Sequence, residues 1–414
     1  MKQVFDWLYV KHRDVILYTV LVLYLLSGMV RNSTLMLIDL WEIIVCLTQI
    51  ICGIILVLYI LLDLFKGKFK ITLFFIVGVI CSIGVLIFAE TNYLFFFLVF
   101  VYVFKDCKFE KIAKIYAITT FIGLLIVCLM AFTGCIENWV QSRGDIARVC
   151  LGFFWSVPPM TYFFFACLAS NYVLGKNISY FQLAFELIVG IILYMLTNTR
   201  TGFILICILV IVSFLLKIIN TKKIENYLSD NKFNKIFSVL FAILPILTVL
   251  IFGGLVILYG LDISFAYKIN ELLSGRLNLT WNAFCEHDLT LFGGTFNWTI
   301  DGLYFGVDSA FYHYLFNYGI LPTLFILFVT ICLYYQAFRK RKYWLCFILF
   351  LILCESVIDI FYWDIRYNIF LLILAESNFC SQMIFGKKSM SQTVNNDTPE
   401  QQIDNLKNAG GVSK

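Results

Sequence analysis

The sequence predicts an all-α integral membrane protein of about twelve transmembrane helices, with a large outer loop between the ninth and tenth. Three observations carry this. Hydrophobic residues make up 61% of the 414-residue chain, against roughly 45–50% in soluble domains. Charged residues make up 14%, where about 25% is ordinary. The apolar residues also fall in blocks of bilayer length. A soluble protein of this size has too much surface to cover with so few charges, and a disordered chain is excluded for the same reason. No basic patch of the kind that binds nucleic acid is present.

A hydrocarbon core of about 30 Å needs about 20 apolar residues per helix. The spans read in order as 15–30, 43–62, 71–89, 91–104, 112–132, 151–170, 180–197, 201–219, 236–259, 307–335, 343–360 and 365–385. The fourth is short enough to be tilted or re-entrant. Pro158-Pro159 are expected to kink the start of the sixth. The seventh and eighth are nearly fused, with Asn198, Thr199 and Arg200 between them. The N-terminal lead is charged as far as Asp14 and no small-residue cleavage site follows, so no cleavable signal peptide is expected. The polytopic domain is read as 1–386 and the polar segment 387–414 as a disordered cytoplasmic tail.

Basic residues test the count. With both termini inside, 24 of the 31 fall in inner segments. Clusters such as Lys66, Lys68 and Lys70, or Arg339 to Lys342, lie on that side. The outer seven are Arg31, Arg143, Arg148, Arg200, Lys268, Arg276 and Arg366, although the chain holds only 9 Arg against 22 Lys. Orientation needs positive charge of either kind, so topology does not explain the split. Arginine offers a planar, always-charged fork that grips phosphate with two hydrogen bonds.

Two outer segments stand out, 133–150 and 260–306. The second carries Leu272, Leu273, Leu277, Trp281, Phe284, Phe292, Phe296 and Trp298, which need something to bury against. Asn270 to Phe284 is expected to form an amphipathic helix on the bilayer surface. Gly293-Gly294 is expected to make a turn.

Five constellations bear chemistry or imitate it. Thr197 to Gly202 is a polar knot between apolar spans, and an arginine at that depth marks a functional site by default. Arg148 precedes Gly152-Phe153 and the two prolines. Ser274-Gly275-Arg276 precedes Trp281. Asp308-Ser309 opens the tenth span, where capping is the plain reading; helical spacing puts Asp308 with Tyr312 and Ser309 with His313. Glu286-His287-Asp288 reads as a solvated turn, because adjacent residues do not converge on one ion. No metal-binding spacing is present. Arg366 is expected to pair with Asp364. Glu186 and Glu355 lie inside apolar runs, each a buried structural group or a cavity residue.

The order of these features resembles the Wzy-type polysaccharide repeat-unit polymerases, which are related to the O-antigen ligases. The resemblance rests on Arg148 with Gly152, Phe153 and Pro158, on Thr199-Arg200-Thr201-Gly202, and on Gly275-Arg276 with Trp281. Phe292-Gly293-Gly294, then Asp308-Ser309, and an aromatic run to Tyr318-Gly319 complete it. It covers roughly residues 10–385. The resemblance implies a GT-C-like fold and an inverting, metal-independent glycosyl transfer with no cofactor, at the outer face of the bacterial cytoplasmic membrane. Donor and acceptor would both be oligosaccharides on undecaprenyl diphosphate, with a flippase and a chain-length regulator as pathway partners. The product would be capsule, O-antigen or another exopolysaccharide. In the ligases a His precedes Asn where Asp308-Ser309 stands here.

On this reading Arg148, Arg200 and Arg276 hold the diphosphate, and Asp308 is the base or orients the acceptor. Trp281 and Tyr312 contact sugar or lipid, with His313 and Arg143 as further substrate contacts. The chemistry is self-consistent: a leaving diphosphate gathers negative charge that arginines bind more tightly as the bond breaks. The alternatives are a lipid-linked oligosaccharide flippase, which needs a charged path through the bilayer, and a ligase-type transferase with a different acceptor.

Overall fold

The computed structural model describes residues 12–67, 72–143, 145–218, 231–296, 299–300, 303–304 and 306–376. The predicted tail 387–414 and the domain boundary at 386 lie outside the described residues. The helices are α1 (Arg13–Arg31), α2 (Asp39–Phe65), α3 (Leu73–Phe88), α4 (Tyr93–Val103), α5 (Phe109–Phe132), α6 (Pro158–Leu174), α7 (Tyr180–Thr197) and α8 (Arg200–Ile218). They continue with α9 (Asn231–Gly260), α10 (Ser264–Leu272), α11 (Arg276–Glu286), α12 (Ala310–Asn317), α13 (Ile320–Arg339) and α14 (Tyr343–Ser356). Two short hairpins, β1 (Val140–Arg143) with β2 (Ile146–Val149) and β3 (Thr299–Ile300) with β4 (Leu303–Tyr304), are antiparallel.

Among the described residues, α1, α2, α5, α7, α8, α9 and α13 are long and apolar enough to cross a membrane. Helix α2 shows why the solvent must be lipid. Its buried residues Val45, Gln49, Cys52, Leu56, Tyr59 and Asp63 recur every three or four positions. The remaining faces present Ile43, Leu47, Ile50, Ile51, Ile54 and Leu58 outward. Contiguous apolar surface of that extent is untenable in water. In a bilayer it costs nothing, because each helix satisfies its own backbone. The chain is an all-helical, multi-pass membrane protein.

The centre holds short elements enclosed by protein. Helix α4 has 11 residues, about 16 Å at 1.5 Å per residue, and is apolar all round, the mark of a helix surrounded by protein. It packs on α2, α3 and a 3₁₀ segment, Ile369–Ala375, whose seven residues are all buried. This segment lies within the expected span 365–385, of which residues 365–376 are described, and those described residues enter the core as a compact turn. Arg366 is 3% exposed and donates to Asp364 at 2.6–2.9 Å, the pairing expected; its guanidinium also sits over the Tyr93 ring.

Three further expectations are corrected. The sixth span begins at Pro158, not 151. The two prolines start the helix, where their missing N–H groups are not needed, and leave Leu151 to Val157 as a loop. The stretch 307–335 breaks into α12 and α13 at Gly319, whose φ is 89°. There Gly293 passes so close that a Cβ on it would lie 1.9 Å from the Asn317 carbonyl oxygen, and Ile320 N–H donates to the Thr290 carbonyl. The predicted surface helix Asn270 to Phe284 is split by Ser274-Gly275, both with positive φ. Helix α11 then packs on the end of α9, with Leu277 and Ala283 buried beside Phe252 and Val256. Those apolar residues find protein to bury against, so the apolar face of α11 is turned to α9.

Candidate functional site

One cavity of about 440 Å³ opens among the loops at one end of the bundle. It is lined by Arg148, Arg200, Arg276 and Asp308, together with Gln141, Trp155, Thr199, Glu355, Asp359 and Phe361. Four side chains singled out from the sequence as chemical thus meet, although they are spread over 160 positions of chain. The opposite end of the bundle carries a different set of charges: Arg13 on Asp106 at 2.8 Å and Lys105 on Asp63 at 2.6 Å.

Local structure explains each placement. In the first hairpin Arg148 pairs directly with Gln141, and cross-strand partners share a face, so both reach the cavity. Arg148 Nε donates to the Thr197 carbonyl at 2.8 Å, which ties the hairpin to the α7–α8 turn. That turn is made by Asn198 in the left-handed conformation, φ 51° and ψ 36°; asparagine tolerates this, and it ends the helix. Thr199 Oγ1 donates to the Ser156 carbonyl at 3.2 Å. Arg200 is exposed and opens α8. The first N–H groups of any helix lack intrahelical partners and attract anions. Gly202 lets α8 approach α6 closely: a Cβ there would lie 2.6 Å from Met160.

The second half of the site surrounds the turn after α14. Arg276 spreads over three acceptors. Nε donates to the Ile358 carbonyl at 3.1 Å, Nη1 to the Leu273 carbonyl at 3.3 Å, and Nη2 faces Asp308 Oδ2 at 3.5 Å. Asp308 therefore does not cap a helix; the N-cap of α12 is Ser309, and the Asp308 side chain turns to Arg276. Asp359 accepts from Thr161 Oγ1 at 3.0 Å and from its neighbour's Ile360 N–H at 2.8 Å. Glu355 is 4% exposed, and its Oε2 is buried with no hydrogen-bond partner.

Other expected contacts lie elsewhere. Trp281 lodges against Gly260, where a Cβ would meet its ring at 2.4 Å, so it braces α11 on α9. Tyr312 donates its hydroxyl to the Val249 carbonyl at 2.9 Å and is buried among α9 and α12 side chains. It does not share a face with Asp308, because α12 starts only at Ala310. His313 contacts the Val307 carbonyl through Nδ1 at 3.1 Å and neighbours Asn317. None of the three lines the cavity. Arg143 ends β1 opposite Ile146; its side chain lies outside the described residues. Glu186 belongs to a closed cluster, accepting from Asn171 and Gln182 at 2.8–3.1 Å.

Glu355, Asp359, Trp155, Gln141 and Phe361 line the cavity without having been assigned to it from the sequence. Trp155 is 57% exposed, an aromatic face at the cavity that suits a sugar ring. An available signal was a glutamate inside a pure apolar run, expensive unless a cavity receives it. Compared with protein-family models, with curated proteins and with solved structures, the chain gives no match in any of the three.

Proposed function

We propose that the chain is a glycosyltransferase of the outer face of the bacterial cytoplasmic membrane, joining oligosaccharide repeat units carried on undecaprenyl diphosphate into surface polysaccharide. The observation that carries this reading is the convergence of Arg148, Arg200 and Arg276 on one cavity at a single end of an apolar bundle. Three guanidinium groups that meet at the end of membrane helices suit a diphosphate at the lipid headgroup level. Trp155 and Phe361 beside them suit the attached sugars. A diphosphate-linked sugar is already activated, so displacement of the lipid diphosphate needs only charge stabilisation and removal of one proton.

The reading includes twelve spans in a GT-C-like arrangement, both termini in the cytoplasm and the cavity outside. A flippase and a chain-length regulator would be its pathway partners. Within it, Arg148 and Arg200 form the diphosphate grip, because Arg148 is tied to the turn that Arg200 follows. Arg276 with Asp308 orders the other half of the cavity.

The test replaces Arg200 and Arg276 singly with Ala in the producing cell. The expected result is surface polysaccharide shortened to single repeats, while lipid-linked units still reach the outer leaflet. Long chains of unchanged length in properly inserted Arg200→Ala would overturn the diphosphate role, and in Arg276→Ala the ordering role of Arg276. Lipid-linked units trapped on the inner leaflet would instead identify a flippase.

A further inference from the structure

The transferase reading leaves one chemical task open, removal of the proton from the attacking hydroxyl, for which the sequence offered Asp308 as base or as orienter of the acceptor. Three carboxylates line the cavity. Asp308 faces the Arg276 guanidinium and is 44% exposed at its side chain. Asp359 has both oxygens engaged, one by Thr161 and one by the Ile360 amide. Glu355 differs from both. It is 4% exposed, it sits in the last turn of α14 among the residues that line the cavity, and its Oε2 is buried with no hydrogen-bond partner.

A buried polar atom left without a partner loses its hydration with nothing to replace it. Native proteins keep few of them, and functional sites account for a share. A hydroxyl entering the cavity would supply the missing donor. The neighbours fit this. Asp359 follows Glu355 by one turn and is anchored through its amide to the Glu355 carbonyl at 3.0 Å. Arg276 holds the Ile358 carbonyl between them.

We propose that Glu355 is the base of the transfer, receiving on Oε2 the proton of the acceptor sugar's attacking hydroxyl, with Asp359 and Arg276 as positioning residues. This deepens the transferase reading and rests on it. In the step, the hydroxyl proton passes to Glu355 as the hydroxyl oxygen bonds to the donor's anomeric carbon. The bond from that carbon to the diphosphate oxygen breaks, and its electron pair leaves with the diphosphate, where Arg148 and Arg200 meet the added charge. The protonated Glu355 then returns its proton to water.

The test uses the full chain reconstituted in liposomes with lipid-linked oligosaccharide extracted from cells that lack this protein. Chain elongation and equilibrium binding of the same lipid are both measured for wild type, E355Q, E355D and D308N. A positioned base contributes about 10²–10⁴-fold. E355Q should therefore lose at least 100-fold in kcat with KM and lipid binding unchanged, and E355D should recover part of the rate. Elongation by E355Q within tenfold of wild type overturns the base while leaving the transferase standing. Loss of lipid binding in E355Q also overturns it, since that marks a structural residue. A larger kcat loss in D308N than in E355Q would return the role to Asp308. If wild type itself does not elongate the extracted lipid, the transferase reading fails and takes the base with it.

Discussion

Arg276 shows what one side chain does in this site. Its three nitrogens point to Ile358, Leu273 and Asp308, so it joins α11, the turn after α14 and the segment before α12. A lysine has one compact ammonium and cannot span those directions. Arg276→Lys is expected to lower the elongation rate about 10–100-fold, a loss of about 1–3 kcal/mol in hydrogen bonds to a charged group. Rates on reconstituted protein check this. At this scale the arginines were legible because they are charges outside apolar blocks. Glu355 was harder to place, since a glutamate in such a block reads equally as structural, as Glu186 proves to be.

Among elements, the α7–α8 turn carries the most function per residue. Asn198 sits at φ 51°, a conformation that costs most residues about 1–2 kcal/mol. Asn198→Gly should keep the melting temperature within error, while Asn198→Val should lower it by an amount equivalent to about 1–2 kcal/mol. Thermal unfolding in detergent, followed by intrinsic fluorescence, separates the two. The sequence located this turn correctly because two apolar runs flank a short polar knot. It misread the prolines at 158–159 as a kink, since the residues before them are as apolar as a helix. It also placed Asn270 to Phe284 on the bilayer surface, because an amphipathic pattern does not say whether the partner is lipid or α9. Pairing of Gln141 with Arg148 depends on hairpin register, which the polar segment 133–150 does not announce.

On the scale of the whole molecule, lipid is a structural component. Long helices turn aliphatic faces outward, while short ones such as α4 are enclosed. The proposed orientation predicts labelling. Cys135 and Cys285 are exposed in the two segments expected outside. A membrane-impermeant maleimide should reach them in intact cells, whereas Lys340→Cys should react only after permeabilisation. Reversed accessibility would invert the topology and move the cavity to the cytoplasm.

The sequence by itself determined the class of solvent, the positions of the long helices and the separation of arginine from lysine. These follow from composition and local periodicity, because burial of apolar side chains in lipid dominates everything else. Only the tertiary structure decided which polar groups meet. Arg148, Arg200, Arg276 and Asp308 share a cavity because a hairpin register, a left-handed asparagine and a split helix bring distant chain segments to one end. Trp281, Tyr312 and His313 are excluded from it because packing against α9 or hydrogen bonding within the α12 region claims them first. Proximity of that kind depends on contacts between remote residues, and no local pattern in the chain encodes it.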